Sequence, residues 1–388
     1  MPRRLYLITE WHKYHQRKNT QGVYVLSTSI EKKTFAENAY ETTPTVSIVV
    51  PCRNEKDHIE SAVESILGQE PPPGGFEIII ADGTSDDGTR SILGRLAEEN
   101  SQLHIVDNPC GIVSTGLNQA IRTARGKIII RMDAHTSYAR DYVRQCVELL
   151  TETGADNVGG PWIARGNGRI GQAIAAAFQS PFANGGARGR HPNYSGPVDT
   201  VYLGCWPREV FDRIGFFDEE LVRNQDDEFN LRLVRSGGKI WQSVRIKSSY
   251  YTRESLRQLF AQYVQYGYWK ARILQKHRRP ASFRHLIPAS FVLMLMVLPV
   301  LSLLWATAFW AWVALLGLYI AFSISVSALT AASSGWNLFL VLPSIFATFH
   351  LAYGWGFLSG VADFIILRRK PGPAYTALTR PSGEELIR

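Results

Sequence analysis

Two short stretches of this chain carry residue types at spacings that suit chemistry on a charged leaving group. Asp133 and His135 stand one residue apart just after the apolar run 128–130, and on an extended segment that offset aims both side chains the same way. A carboxylate and an imidazole so placed could share a divalent cation, with diphosphate oxygens and water completing its shell. The nitrogen favours Mn²⁺ over Mg²⁺ without excluding Mg²⁺. Read singly, the pair also fits a helix cap and a surface histidine. The second stretch, Asp226-Asp227-Glu228, either complements the dipole at a helix start or supplies a carboxylate able to take a proton from a hydroxyl. Two further polar turns, Pro51-Cys52-Arg53-Asn54-Glu55 and Asp82-Gly83-Thr84-Ser85-Asp86-Asp87-Gly88-Thr89, could hold a nucleotide's base and ribose at helix N-termini. An Asp-Gly pair is also, more simply, a turn.

Such residues need a scaffold that brings them together, and the apolar pattern supplies one. Residues 46–50 are a continuous strand-type run, followed by Ile59, Ala62, Val63, Ile66 and Leu67 on one helical face. The strand-then-helix rhythm repeats with 78–80 and Ile92, Leu93 and Leu96, then with 103–106 and Val113, Leu117, Ala120, Ile121 and Ala124, before a fourth strand at 128–130. Repeated units of this kind predict an α/β domain with a mainly parallel sheet, whose ligands sit at the carboxyl ends of its strands. All the polar turns named above fall at such ends. From about 154 to 200 the rhythm breaks into a glycine-rich region with Arg188, Arg190 and His191, which reads as a mobile basic lid on the acceptor side. Strand and helix return with 201–203, 207–213 and a helix from Asp226 that Gly237 and Gly238 stop.

Charge is distributed unevenly. The 78 residues between Arg284 and Asp363 contain no Asp, Glu, Lys or Arg, whereas one bilayer crossing needs about 20 apolar residues. The chain therefore divides into a basic extension (1–43), an α/β domain (44–252), amphipathic and basic juxtamembrane helices (253–285), a transmembrane region of two or three spans (286–367) and a cytoplasmic tail (368–388). Within 286–367 we expect a hairpin of 286–308 and 309–329, with Trp305, Trp310 and Trp312 near its turn, and a third segment at 337–367. Arg278, Arg279 and Arg284 before the first span and Arg368, Arg369 and Lys370 after the last both favour the cytoplasm, which requires an even number of crossings. Pro343, Gly354, Gly356 and Gly360 could let the third segment bend back, and Gly356-x-x-x-Gly360 could pack on a neighbouring helix. The net charge of +8 gathers before the membrane, at Lys270, Arg272, Lys276, Arg278, Arg279 and Arg284, and so points to anionic lipid and away from nucleic acid. Four scattered cysteines, Cys52, Cys110, Cys146 and Cys205, suggest neither a zinc cluster nor disulfides. With no apolar leader at the start, a cytoplasmic catalytic domain on the inner membrane is the expectation.

These motifs, with Gly116-Leu117-Asn118, Gly204-Cys205-Trp206, Arg208-Glu209-Val210-Phe211, Phe217-Asp218-Glu219 and Asn224-Gln225-Asp226-Asp227-Glu228 in order, resemble the family 2 glycosyltransferases of the GT-A fold. The similarity covers about residues 44–275 and is to the succinoglycan-type exopolysaccharide enzymes. It implies a metal-dependent (Mn²⁺ or Mg²⁺) inverting transfer of one sugar from a nucleotide sugar, a UDP-sugar by expectation, to a polyprenyl-diphosphate-linked saccharide. It further implies that Pro51, Arg53, Glu55, Asp82 and Asp133 hold the nucleotide sugar, that Asp133 and His135 hold metal, and that Asp226 is the general base. Asp227, Gln265 and Trp269 are candidates for acceptor contact or donor-site closure. Three departures stand out: His135 where a second Asp is usual, Gln225 where a Glu is common before Asp226, and Tyr268 where chain-extending synthases place Arg in Gln-x-x-Arg-Trp. Transfer to polyprenyl phosphate, processive synthesis and an inactive scaffold are the competing readings.

Overall fold

The computed structural model describes residues 43–280 and 282–378, so the basic extension and the end of the tail lie outside the described residues. The strand and helix units appear in the expected order: β1 (Val46–Cys52), α1 (Ile59–Leu67), β2 (Phe76–Asp82), α2 (Thr89–Glu99), β3 (Leu103–Asp107), α3 (Val113–Thr123), β4 (Ile128–Arg131), β5 (Thr136–Tyr138) and α4 (Tyr142–Thr153). There follow β6 (Asn157–Gly160), β7 (Ile163–Arg165), α5 (Gly168–Gln179), α6 (Pro181–Asn184), β8 (Gly196–Pro197), β9 (Tyr202–Pro207), α7 (Glu209–Ile214), α8 (Gln225–Arg235), β10 (Ile240–Gln242) and β11 (Ser248–Tyr251). The described residues form a sheet of order β3-β2-β1-β4-β9-β6-β10-β8, with β5, β11 and β7 in a second sheet. β1 runs parallel to β2 and β4, and β9 is antiparallel to β4 and β6.

Strand alternation divides the core. Val46, Ile48 and Val50 pack with α1, α2 and α4 on one face, while Val49 joins Leu117, Trp206, Phe217 and Phe229 on the other. Asn118 fastens the second layer, its Nδ2 donating to the Phe217 carbonyl (2.8 Å) and its Oδ1 accepting from Phe217 N (3.0 Å).

The region read as a mobile lid is instead ordered structure. It contains β6, β7, the twelve-residue α5 and a single 3₁₀ turn at Arg188–Arg190. Its glycines divide: a Cβ on Gly166 would overlap the Gly171 carbonyl, and Gly159, Gly160 and Gly189 are as crowded, whereas Gly168 and Gly186 face open space at positive φ. Glycine density signals close backbone approach as readily as turns, and here both occur.

α9 (Leu256–His277) begins at the cap Ser255, whose hydroxyl accepts from Gln258 N. Then come α10 (Ile287–Leu301), α11 (Ala306–Ser334), α12 (Leu342–Gly360), continued by a π-helical stretch to Ile366, and the short α13 (Pro373–Thr376). Among the described residues three helices, Phe283–Leu301, Ala306–Ser334 and Leu342–Ile366, are long and apolar enough to cross a bilayer. The hairpin turn falls at 302–305, earlier than the sequence suggests, because Pro299 removes a helical donor near the end of α10.

The apolar region returns repeatedly to the catalytic domain. Arg284 before α10 pairs with Asp199 (2.5 Å). Asn337, after α11, accepts from Arg169 of α5 through its carbonyl (2.8 Å). α12 then runs parallel to α9, with Phe349 against Tyr263 (4.5 Å between rings) and Phe364 against Tyr268 (4.8 Å). The two backbones touch: a Cβ on Gly267 would overlap the Tyr353 carbonyl, one on Gly356 the Val264 carbonyl, and one on Gly360 would come within 2.6 Å of the Tyr268 carbonyl. Gly356-x-x-x-Gly360 thus packs helix on helix, and α12 does not bend there.

Of the juxtamembrane cations Arg278 and Arg279 are exposed, whereas those along α9 are for the same reason turned to protein partners. Lys270 is buried and paired with Asp227, Arg272 binds Glu220 (2.6 Å) and Lys276 binds Asp218, because α9 lies between the catalytic domain and α12.

Gly267→Ala should destabilise the protein by roughly 1–3 kcal/mol, the usual cost of overpacking, read as a lower unfolding midpoint in detergent. Gly317→Ala, with open space around the new methyl, is the control and should leave the midpoint unchanged.

Candidate active site

A single cavity of about 1920 Å³ opens at the carboxyl ends of β1 and β4 and continues between α5, α6 and α10–α12. Pro51, Arg53 and Glu55 line its first end together with Asn108, Gly111 and Ile112 of the loop between β3 and α3. Asp133, His135, Asp226 and Asp227 line its middle, and Phe291, Tyr319, Phe322, Val326 and Leu329 its far end. Seven of the residues that the sequence singles out, from Pro51 to Asp227, are therefore drawn together on one cavity.

The two polar turns are laced to each other. Arg53 Nη1 donates to the Gly83 carbonyl (2.7 Å), Asn54 N to Ser85 Oγ (2.9 Å), Asn54 Nδ2 to Asp86 Oδ1 (3.0 Å) and Glu55 N to Thr89 Oγ1 (2.9 Å). Asp82 sits behind this lacing. It is buried, accepts from Ser85 Oγ (2.6 Å), pairs with Arg90 (3.2 Å) and does not line the cavity.

Asp133 and His135 are not on an extended segment, because β4 ends at Arg131 and Thr136 N closes a turn on the Asp133 carbonyl (3.2 Å). What aims Asp133 is Arg131, whose Nε and Nη2 grip its two oxygens at 2.9 and 3.0 Å. Tyr138 Oη clamps the Asp133 backbone, accepting from its N–H (2.6 Å) and donating to its carbonyl (3.1 Å). Both Arg131 and Asp133 are buried, so the pair depends on this two-bond geometry to offset desolvation. His135 Nδ1 lies 3.6 Å from Glu55 Oε1. Desolvation at the cavity wall draws its imidazole pKa down, against the pull of Asp133.

This donor set fits a divalent cation. A carboxylate offers about four lone-pair positions, and Arg131 takes two at Asp133. Among the described residues no cluster of three or more His, Cys, Asp or Glu could hold a metal alone. A hard cation here would depend on substrate phosphate and water for the remainder of its shell.

Asp226 and Asp227 open α8 after Asn224, which adopts a left-handed conformation (φ 61°). Their carboxyls diverge in acidity. Burial, then the charge of Asp227, pushes the Asp226 carboxyl above its usual range, against the attraction of Arg131. At Asp227 burial acts the same way but is outweighed by the Lys270 ammonium, by charge and hydrogen bond, which holds that carboxyl low. Two adjacent acids with opposite shifts separate into a proton acceptor poised to work and a fixed anion.

Gln265 and Trp269 do not line the cavity. Gln265 Oε1 accepts from Arg223 Nε (3.0 Å), and Arg223 does line it. The sequence reading missed Arg131, Arg223 and Lys270 as site residues. Arg131 adjoins the Asp133 motif and was findable from it. Lys270 lies 43 residues from its partner Asp227, and no local pattern announces that pair.

A cavity at the carboxyl ends of a parallel sheet, with an acid pair from a helix start beyond it, is the frame of a GT-A glycosyltransferase. The chain belongs to the family 2 glycosyltransferases: residues 47–213 match the family model described as glycosyl transferase family 2. It is 36% identical over 243 residues to the succinoglycan biosynthesis protein ExoA of Rhizobium meliloti (strain 1021), covering 62% of this chain and 73% of that one. It is 26% identical over 324 residues to a Methanococcus voltae enzyme named dolichyl N-acetyl-alpha-D-glucosaminyl phosphate 3-beta-D-2,3-diacetamido-2,3-dideoxy-beta-D-glucuronosyltransferase, covering 81% and 97%. The mannosyltransferase PcManGT from Pyrobaculum calidifontis, solved with GDP-Man and Mn²⁺, shares the fold at TM-score 0.51 and 19% identity over 80% of this chain and 86% of that one.

Proposed function

We propose that this glycosyltransferase moves one sugar, with inversion, from a nucleotide sugar to a lipid-linked saccharide in exopolysaccharide or related glycan assembly. The observation that carries the reading is the continuity of one cavity from Arg53 and Asp133 to Phe322 and Val326 of α11. A polar end suits a nucleoside diphosphate, and an apolar end among bilayer-length helices suits a polyprenyl chain. Between them Arg190, Lys270, Arg284 and His285 line the wall, where an acceptor's phosphates would pass. The likeness to ExoA supports exopolysaccharide assembly, and the likeness to the Methanococcus dolichyl-phosphate glycosyltransferase supports a glycosylated polyprenyl-type acceptor.

In this reading Arg53 and Glu55 border the nucleoside, and Asp133 and His135 would hold a divalent cation that supplies counter-charge for the departing diphosphate. Arg131 keeps the Asp133 carboxylate fixed. Asp226 accepts the proton of the acceptor hydroxyl, and its raised pKa brings it nearer the operating pH. Asp227, whose own pKa Lys270 holds low, supplies part of the negative charge that raises Asp226. A single base and direct displacement invert the anomeric centre. Processive synthesis is disfavoured, since Tyr268 replaces the arginine of Gln-x-x-Arg-Trp and Gln265 and Trp269 face away from the cavity.

We also read the catalytic domain as cytoplasmic, with α10 and α11 as two crossings and α12 held at the membrane surface. Support comes from the contacts of Arg284, Asn337 and α12 with the catalytic domain, which keep both ends of the apolar region on one side. The even-crossing requirement is then met.

Transfer to a lipid extract from a panel of nucleotide sugars tests the main reading. Chelator should abolish it, with Mn²⁺ or Mg²⁺ restoring it; full activity in excess chelator contradicts the metal role. Asp226→Asn should lower turnover roughly 10²- to 10⁴-fold, the range for general-base catalysis, with nucleotide affinity kept. In the parent enzyme kcat/KM should fall on acidification through the raised Asp226 pKa. Asp227→Asn, by removing the repelling charge, should move that limb to lower pH. For topology, a cysteine at Leu304 should react with an impermeant reagent outside intact cells, whereas cysteines at Asn100 and Lys370 should not. Outside labelling at Lys370 requires an odd number of crossings and refutes the arrangement.

A further inference from the structure

After α12 the chain turns back on itself. Arg369 Nε donates to Asp363 Oδ1 (2.7 Å), and the same carboxylate accepts from Tyr268 Oη (2.8 Å), pinning the turn to α9. The following residues, 373–378, lie along the α9 face that carries Gln265, Tyr268 and Trp269. The Tyr375 ring stacks flat on Tyr268, with centroids 3.7 Å apart and planes 4° from parallel. Trp269 Nε1 donates to the Tyr375 carbonyl (2.9 Å), and Gln265 Nε2 donates to the carbonyls of Ala377 (2.9 Å) and Ala374 (3.4 Å). The side-chain polar groups of Gln265 and Trp269 are thus spent on this strap and on Arg223.

The strap also reaches the cavity. Leu378 lines it beside Gly111 and Ile112, and a Cβ on Gly111 would meet Leu378 Cδ1 at 3.5 Å and overlap the Arg53 guanidinium. Tyr375 and Leu378 pack in one apolar cluster with Ile112, Leu221, Val222, Tyr268, Trp269, Ile273 and Phe364. Val222 and Arg223, next to it, lead into the Asn224–Asp227 turn and line the cavity as well. The strap therefore bridges the Arg53 end of the cavity and the segment that carries the acid pair.

We propose that residues 373–378 form the outer wall of the donor pocket, with Tyr375 docking the strap on Tyr268 and Trp269, Leu378 closing the nucleoside end, and the Ala374 and Ala377 carbonyls, through Gln265, setting the position of Arg223. These are positioning residues for a nucleoside diphosphate, and the proposal rests on the reading that the nucleotide binds at Arg53. An apolar wall at that point excludes water from the nucleoside while leaving the acceptor end untouched, so its loss should appear on the donor side alone.

The test uses the full-length protein in detergent, with UDP and GDP binding measured by calorimetry in the presence of Mn²⁺, and donor and acceptor KM measured separately. Tyr375→Ala and Leu378→Ala should weaken nucleoside diphosphate binding and raise donor KM about tenfold, with acceptor KM and the unfolding midpoint unchanged. Tyr375→Phe, which keeps the stacked ring, should behave as the parent. Arg53→Ala separates this proposal from the reading beneath it. If Arg53→Ala weakens nucleotide binding while both strap variants leave donor KM unchanged, the strap is structural only and the proposal falls. If Arg53→Ala also has no effect, the nucleotide lies elsewhere and both fall. Tighter nucleotide binding or faster turnover in the strap variants would make it an obstruction and refute the wall.

Discussion

The backbone contact between α9 and α12 is the constraint on which the rest of the molecule depends. Gly267, Gly356 and Gly360 remove the side chains that would hold two helices at their usual spacing of about 8–10 Å, and carbonyls of each helix occupy the space where the other's Cβ atoms would stand. One of these helices continues from the catalytic domain and the other belongs to the apolar region. Their close contact makes the boundary between the α/β domain and the apolar helices a packed interface. A cavity can cross such an interface without being sheared by domain motion, and the strap returning along α9 gains a fixed surface to dock on.

Within that frame the site is organised by compensation of buried charge. Arg131 answers Asp133, and Lys270 answers Asp227, which leaves Asp226 as the acid whose burial and neighbouring charge are not fully offset. A carboxylate so placed is the one whose proton affinity rises toward the working range, and it stands between the polar and apolar ends of the cavity. The arrangement is economical in its use of sequence: β4 supplies one anion and its cation two residues apart, α8 supplies two anions in succession, and α9 brings the last cation.

Much of this was legible in the sequence, and the limits follow from physical causes. The β-branched runs at 46–50, 78–80 and 128–130 fixed the parallel strands, since strands buried on both faces leave continuous apolar stretches. The polar turns followed from their places at strand ends. The acid run at Asp226 was visible as a motif, but the unequal acidity of its members depends on Lys270, which only tertiary structure brings near. The glycines of 154–200 looked like looseness because composition does not distinguish freedom from close packing. The cations of α9 looked lipid-facing because an amphipathic helix reads the same whether its polar face meets headgroups or Glu220 and Asp218. Glu-rich and Arg-rich positions far apart in the chain become partners only once the sheet has set their distance.

The central claim is that acceptor lipid enters from the bilayer end of the single cavity and meets the sugar at Asp226. A photoreactive phenylalanine analogue at Phe322, in membranes supplied with radiolabelled lipid-linked acceptor, tests it directly. We expect a covalent adduct at that position, suppressed by excess unlabelled acceptor and absent when the analogue is placed at Ile324, which is exposed on the opposite face of α11 and does not line the cavity. An active enzyme that yields no competable adduct at Phe322, or an equal one at Ile324, would contradict it.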